Sequence, residues 1–260
     1  MALTLLVAVI GIGTYLIGAN GGAKATAAQP VPSSAAPTPS VPVGAPSRAA
    51  SPSIRPSASS ALPTGYPTRG KGTYTFAGGS TARFGTGTLQ RYRVAVEDGL
   101  GVDPAVFATQ VDAVLDNTRQ GWSAAGLWSF QRVTSGPVAF TIYLASPDTT
   151  YHFCEKLIGL DIREAAPGGV NCSNNGNTVV ENIARWIDLT QYYKGQPDLY
   201  HALAINHEVG HSLHHGHVSC TGPGQPAPVM MQQIKGLHGC VPNGWPYSPT
   251  GKYLTGAPSA

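Results

Sequence analysis

Residues Asp198–Leu213, DLYHALAINHEVGHSL, continue into His214-His215-Gly216-His217, and this stretch decides how the second half of the chain is read. Ile205, Val209 and Leu213 recur at every fourth position and form one apolar face. His207 and His211 share the opposite, polar face, one turn apart. The pattern predicts one long helix over 198–213. Two imidazoles at i and i+4 can grip a single ion, and Glu208 lies on the flank of that face, where a carboxylate can take a proton from water without occupying the metal. His217 follows His211 by six residues. A catalytic zinc takes three protein ligands and keeps a fourth position open, so HExxHxxxxxH supplies the required number if the chain turns back sharply after the helix. Six of the eight histidines lie between 201 and 217. Downstream, Pro228-Val229-Met230-Met231 puts a methionine in a turn-like context.

Working outward, Leu89–Glu97 (LQRYRVAVE) alternates, with Tyr92, Val94 and Val96 on one face, and reads as a strand. Asp103-Pro104 reads as an N-cap followed by proline at the first helical position, and Phe107, Val111, Val114 and Leu115 carry that helix to about Asn117. Trp128–Val133 and Val138–Leu144 are short β-branched and aromatic runs, read as strands; Thr178–Trp186 is a further strand. After His217 the chain is rich in Gly and Pro and reads as loop. The order predicts an α+β (mixed α/β) domain over residues 71–260, with two main helices and an irregular C-terminal part. With 32 Gly and 22 Pro against 11% charged residues, the composition excludes a helical bundle or a coiled coil.

The first 70 residues differ. Residues 1–23 carry no charge, and Ala2–Gly18 is almost wholly apolar. Crossing a bilayer takes about 20 helical residues, so this segment is expected to be a membrane anchor. Cleavage at Ala23-Lys24-Ala25 or Ala25-Thr26-Ala27 is the alternative, giving a secreted protein. Residues 24–70 are read as a Pro/Ala/Ser-rich disordered linker: positions 29–68 hold 10 Pro, 9 Ser and 7 Ala, too little apolar surface to offset the entropy of ordering. From Lys71 onward there are 12 Lys+Arg against 13 Asp+Glu, a net −1 that offers nucleic acid no electrostatic footprint. The four cysteines, Cys154, Cys172, Cys220 and Cys240, form no CxxC; behind an export-like start they predict two disulfides and an extracytoplasmic location. Four cysteines allow three connectivities, and locality favours Cys154–Cys172 and Cys220–Cys240. No GxSxG or GxxxxGK[ST] offers a competing catalytic constellation.

The segment HEVGHSLHHGH with its downstream methionine resembles the metzincin clan of zinc peptidases, HExxHxxGxxH followed by a Met-turn. RYRVAVEDGLGVD, VVENIARW, HEVGHSLHHGH, CTGPGQPAPVMMQQ and GCVPNGWPY, across about residues 85–250, are similar to a family of bacterial exported proteins, domain of unknown function 3152. The resemblance implies a metzincin-like twisted sheet, Zn2+ held by His207, His211 and His217, Glu208 as general base, and Met230 rather than Met231 as the Met-turn residue. It also implies that the strand at Thr178–Trp186 is the edge along which an extended peptide or protein substrate aligns. A monomer is expected. The chain departs from the clan pattern at His214, where the clan has a helix-ending glycine; Gly216 is the candidate to relieve that turn. His214 and His215 are read as surface or supporting residues rather than ligands, His201 and His238 as surface residues, and Tyr247 as an aromatic packing residue rather than a donor to the site. The alternative to an enzyme is a catalytically inactive, zinc-stabilised binding module on the cell surface.

Overall fold

The ten-residue strand β3 (Thr88–Glu97) organises the domain. A computed structural model describes residues 63–159, 161, 169–174 and 176–259; the segment 1–23, read as an anchor, and the stretch read as linker up to residue 62 lie outside the described residues. Strand β3 is flanked by β4 (Trp128–Arg132) on one side and β5 (Phe140–Ala145) on the other, both parallel to it, and β5 pairs in parallel with β7 (Thr178–Asn182). Short antiparallel strands close the sheet. They are β1 (Tyr74–Phe76) on the far end of β3, β2 (Phe84–Gly85) beside β4, and β6 (Cys172–Ser173) beside β7. The order is β2-β4-β3-β5-β7-β6 in a seven-stranded mixed sheet, so the expected mixed α/β class is the one present.

Helices α1 (Pro104–Leu115) and α4 (Pro197–Ser212) cover the sheet face that carries Tyr92, Val94, Val96, Ile142, Leu144 and Val179. Asp103 caps α1 as its sequence indicated, its carboxylate accepting from the Ala105 amide at 2.8 Å. Phe107 meets Trp186 edge-on at 5.1 Å in this core. Each such buried aromatic contributes roughly 1.5–3 kcal/mol. The opposite face carries α2 (Pro147–Ile158), packed on Val180 and Cys172 and tied by the disulfide Cys154–Cys172.

Helix α2 was not anticipated, although its ends are marked. Ser146 caps its start, Pro147 occupies the first turn and Gly159 ends it at φ 66°. Thr178–Trp186 is also not one strand. Asn182 ends β7 and caps helix α3 (Ile183–Asp188), accepting from Ala184 N at 3.0 Å. Nor is β7 an edge, because β6 occupies its outer side. Contacts with the domain begin within the stretch read as linker. The Tyr66 hydroxyl donates to Asp188, and Gly70 N donates to Ser146 Oγ at 3.0 Å. Beneath them, buried Glu97 accepts from Gly72 N, Ser146 N and Thr149 Oγ1 at 2.7–2.9 Å. After His217 the described residues form isolated bridges and turns, as their Gly and Pro content indicated.

Candidate metal centre

Helix α4 runs along the sheet with its middle turn gripped from outside. The Trp122 indole N–H donates to the Asn206 carbonyl at 2.9 Å, and the Asn206 amide donates to the Gly244 carbonyl at 2.9 Å. Gly210, the fourth residue of HEVGH, has no room for a side chain: a Cβ there would lie 2.3 Å from Met230 Sδ and 2.8 Å from Trp122 Cζ2. Buried Met230 therefore packs directly beneath the turn that joins His207 to His211, whereas Met231 lines the neighbouring cavity.

The end of α4 explains how the third histidine returns. His214 takes the left-handed conformation itself, at φ 67°, and Gly216 is not among the residues at positive φ. His214 N donates to the His211 carbonyl and His215 N to the Gly210 carbonyl, each at 2.9 Å, the bond pair of a Schellman motif. That turn puts the His215 carbonyl 2.9 Å from His211 Nδ1, while His207 Nδ1 lies 2.8 Å from the Val229 carbonyl. A carbonyl can only accept, so both Nδ1 atoms carry the proton and both Nε2 atoms keep a free lone pair. His211 Nε2 and His217 Nε2 are 3.1 Å apart, and one ligand atom from each of His207, His211 and His217 falls within 4.8 Å of the others. Burial, reinforced by neighbouring imidazoles, lowers His207 to about 3 and His211 to about 4, which keeps both neutral as metal ligation requires.

Glu208 is buried on the same helix, and its carboxyl borders a cavity of about 150 Å³ that runs along Tyr200, Leu203, Ala204, His207 and His211. Burial raises it to about 8. The far wall is β6, with Asn171, and the loop from Met231 to Lys235. A second carboxyl, Glu181 of β7, is not among the residues that the sequence singled out. It is fully buried, neither oxygen has a hydrogen-bond partner among the described residues, and burial and then Glu208 raise it well above the usual carboxylate range. An acid inside the β-branched run TVVEN was the available signal.

The remaining candidates divide cleanly. His214 is exposed and outside the histidine cluster, and His215 supports it through its carbonyl while its ring stacks on Trp122 at 4.4 Å. His238 is exposed as expected. His201 is not a surface residue: it is buried, stacked on Trp186 at 3.7 Å, with Nε2 2.9 Å from the Trp186 carbonyl. Tyr247 packs 5.3 Å from Tyr253 and does not line the cavity. The Cys220–Cys240 bridge is formed, so both disulfides follow the local pairing. Gln233 carried no sequence signal, yet it pins the loop after Met230: its amide donates to the Pro228 and Asn243 carbonyls at 3.2 and 2.7 Å, and its oxygen accepts from the Tyr193 hydroxyl.

The donor set fits a metal ion. Nitrogens about 2.0–2.1 Å from a tetrahedral zinc sit roughly 3.3 Å apart, close to the 3.1 Å between His211 and His217. Three neutral imidazoles suit zinc and its first-row neighbours. No curated protein and no solved structure matches the chain. A family model matches residues 62–240, a span that holds the whole sheet, the three histidines, Glu208, Met230 and all four cysteines. The chain thus belongs to the family described as Protein of unknown function (DUF3152).

Proposed function

We propose that this protein is a zinc-dependent peptidase working outside the cytoplasmic membrane. The observation that carries the reading is the pairing of three converging imidazoles, two of them with the tautomer set by backbone carbonyls, with a buried carboxyl one residue along the helix and an open cavity beside both. His207, His211 and His217 would hold the zinc, which when bound supplies Lewis-acid polarisation of a scissile carbonyl and makes water reactive at neutral pH. Glu208 takes the proton of the attacking water and returns it to the leaving amine. Burial raises the proton affinity of this carboxyl, so that, kept ionised by a dication at the histidines, it would accept the proton readily and hold it until the amine departs. Met230 beneath Gly210 extends the metzincin likeness, and so does β6, whose outer edge can take an extended peptide as an added strand. Two disulfides accord with an oxidising compartment.

The test is incubation of the zinc-loaded full chain with a broad peptide mixture, read by mass spectrometry, beside a chelated sample and the Glu208→Gln variant. Cleavage that chelation abolishes and that the variant loses by about 10²-fold or more supports the reading. One tightly held zinc with no cleavage of any peptide overturns it in favour of a metal-stabilised binding module.

A further inference from the structure

A second groove of about 410 Å³ shares Met231, Gln232 and Lys235 with the cavity at the histidines and is lined further by Ser219, Thr221 and His238. Lys235 borders both spaces. Its Nζ donates to Gln232 Oε1 at 3.1 Å, and among the described residues no carboxylate pairs with it. Glu208 is the only described acid lining the cavity, and no described acid lines the groove. Among the described residues Lys235 is thus the one permanently charged side chain that lines the groove, in a domain whose balance from Lys71 onward is −1.

Lys235 is exposed where the two spaces meet, and Gln232 takes only one of the three N–H donors of its ammonium, which leaves two for an anion bound in either space. Ser219 and Thr221 line the same groove and contribute hydroxyl side chains to its wall. The Cys220–Cys240 bridge holds the wall that carries those hydroxyls to the end of the loop that carries Lys235.

We infer that Lys235 anchors a carboxylate of the bound peptide, so that the preferred ligand is a peptide whose chain, leaving the metal centre toward the Ser219–Thr221 wall, presents an acidic side chain or its own C-terminal carboxylate. The inference deepens the peptidase reading and depends on it for the peptide's placement across the metal, but its test is binding rather than turnover. An ion pair at an exposed lysine gives about a twofold to fivefold preference, screened by salt.

The experiment uses the zinc-loaded full chain carrying Glu208→Gln and a fluorescent peptide series, read by anisotropy. Each peptide position is varied among Glu, Gln and Lys, and each peptide is made with a free and an amidated C-terminus. The expected result is about a twofold to fivefold advantage for Glu at one position, or for the free C-terminus, which identifies the source of the carboxylate. The advantage disappears in Lys235→Gln and turns into a preference for Lys in Lys235→Glu, while bound zinc is unchanged. Equal binding of acid and neutral peptides throughout, no peptide binding at all, or an acid preference that survives Lys235→Glu overturns the inference. Cleavage of the same series by the protein with Glu208 intact separates the two readings. Cleavage without acid preference sinks the carboxylate anchor alone, and acid-selective binding without cleavage sinks the peptidase alone.

Discussion

Glu208 gives the metal-free protein a stability cost that Glu208→Gln removes. Burial raises its carboxyl from an ordinary 4.5 to about 8, so the folded chain keeps a proton that the unfolded chain releases. Below about pH 4.5 both states are protonated and the residue contributes no difference. Between 4.5 and 8 the folded state loses stability with rising pH, and above 8 the loss levels off. At pH 7 the retained proton costs roughly 3 kcal/mol, at about 1.36 kcal/mol per pH unit above 4.5, and roughly 5 kcal/mol by pH 8. Against the 5–15 kcal/mol of a typical domain this is a large share. Glutamine keeps the shape and cannot titrate. Chelated Glu208→Gln protein should therefore exceed the chelated wild type by roughly 3 kcal/mol at pH 7 and match it near pH 4. Glu181, raised by the same burial, acts in the same direction in the wild type. Urea unfolding with disulfides intact, repeated from pH 4 to pH 8 and followed by tryptophan fluorescence, measures the gap. Metal loading should shrink it, since a nearby dication favours the ionised carboxylate. Equal midpoints for the two chelated proteins at pH 7, or a gap that does not widen between pH 5 and pH 8, would refute the reasoning.

Other substitutions test the scaffold around the histidines. Gly210→Ala gains about 1 kcal/mol of helix propensity but drives a methyl into Met230 and Trp122, an overpacking of roughly 1–3 kcal/mol, so zinc affinity should fall; Met230→Ala in the same chain should restore part of it, and a lack of any rescue in a zinc titration would count against that contact. His214→Gly removes a side chain from the left-handed position and should raise stability by about 0.5–1 kcal/mol with zinc retained; a lowered unfolding midpoint would show that the imidazole has a role of its own. Replacing Cys220 and Cys240 by Ser should lose roughly 3 kcal/mol and weaken zinc retention against a chelator more than replacing Cys154 and Cys172, because the first bridge lies three residues from His217; equal retention in both double variants removes that role.

The sequence by itself determined the parts whose chemistry is local. His207, Glu208 and His211 needed only the helical repeat, His217 only a sharp turn, and each cysteine pair only a short loop between its members. Strand β3 was legible from the alternation of its apolar residues, and β4 and β5 from their short β-branched and aromatic runs, which the sheet buries. Thr178–Trp186 was read too long because Asn182 acts as a helix cap, a role set by the backbone entering it rather than by the apolar run around it. Tertiary structure alone decided what surrounds the turn that carries the histidines. The carbonyl of Val229 that sets the tautomer of His207 has no signature in the sequence, since every residue carries a carbonyl. Glu181 reaches the neighbourhood of Glu208 only because β7 pairs inside the sheet and faces α4, and the same pairing leaves β6, not β7, at the edge beside the cavity. Lys235 lies beside the histidines because Gln233 and the Cys220–Cys240 bridge fold its loop back over α4. Each of these contacts joins residues far apart along the chain, and such proximity is set by how strands, helices and bridges pack together, which no residue type or local spacing encodes.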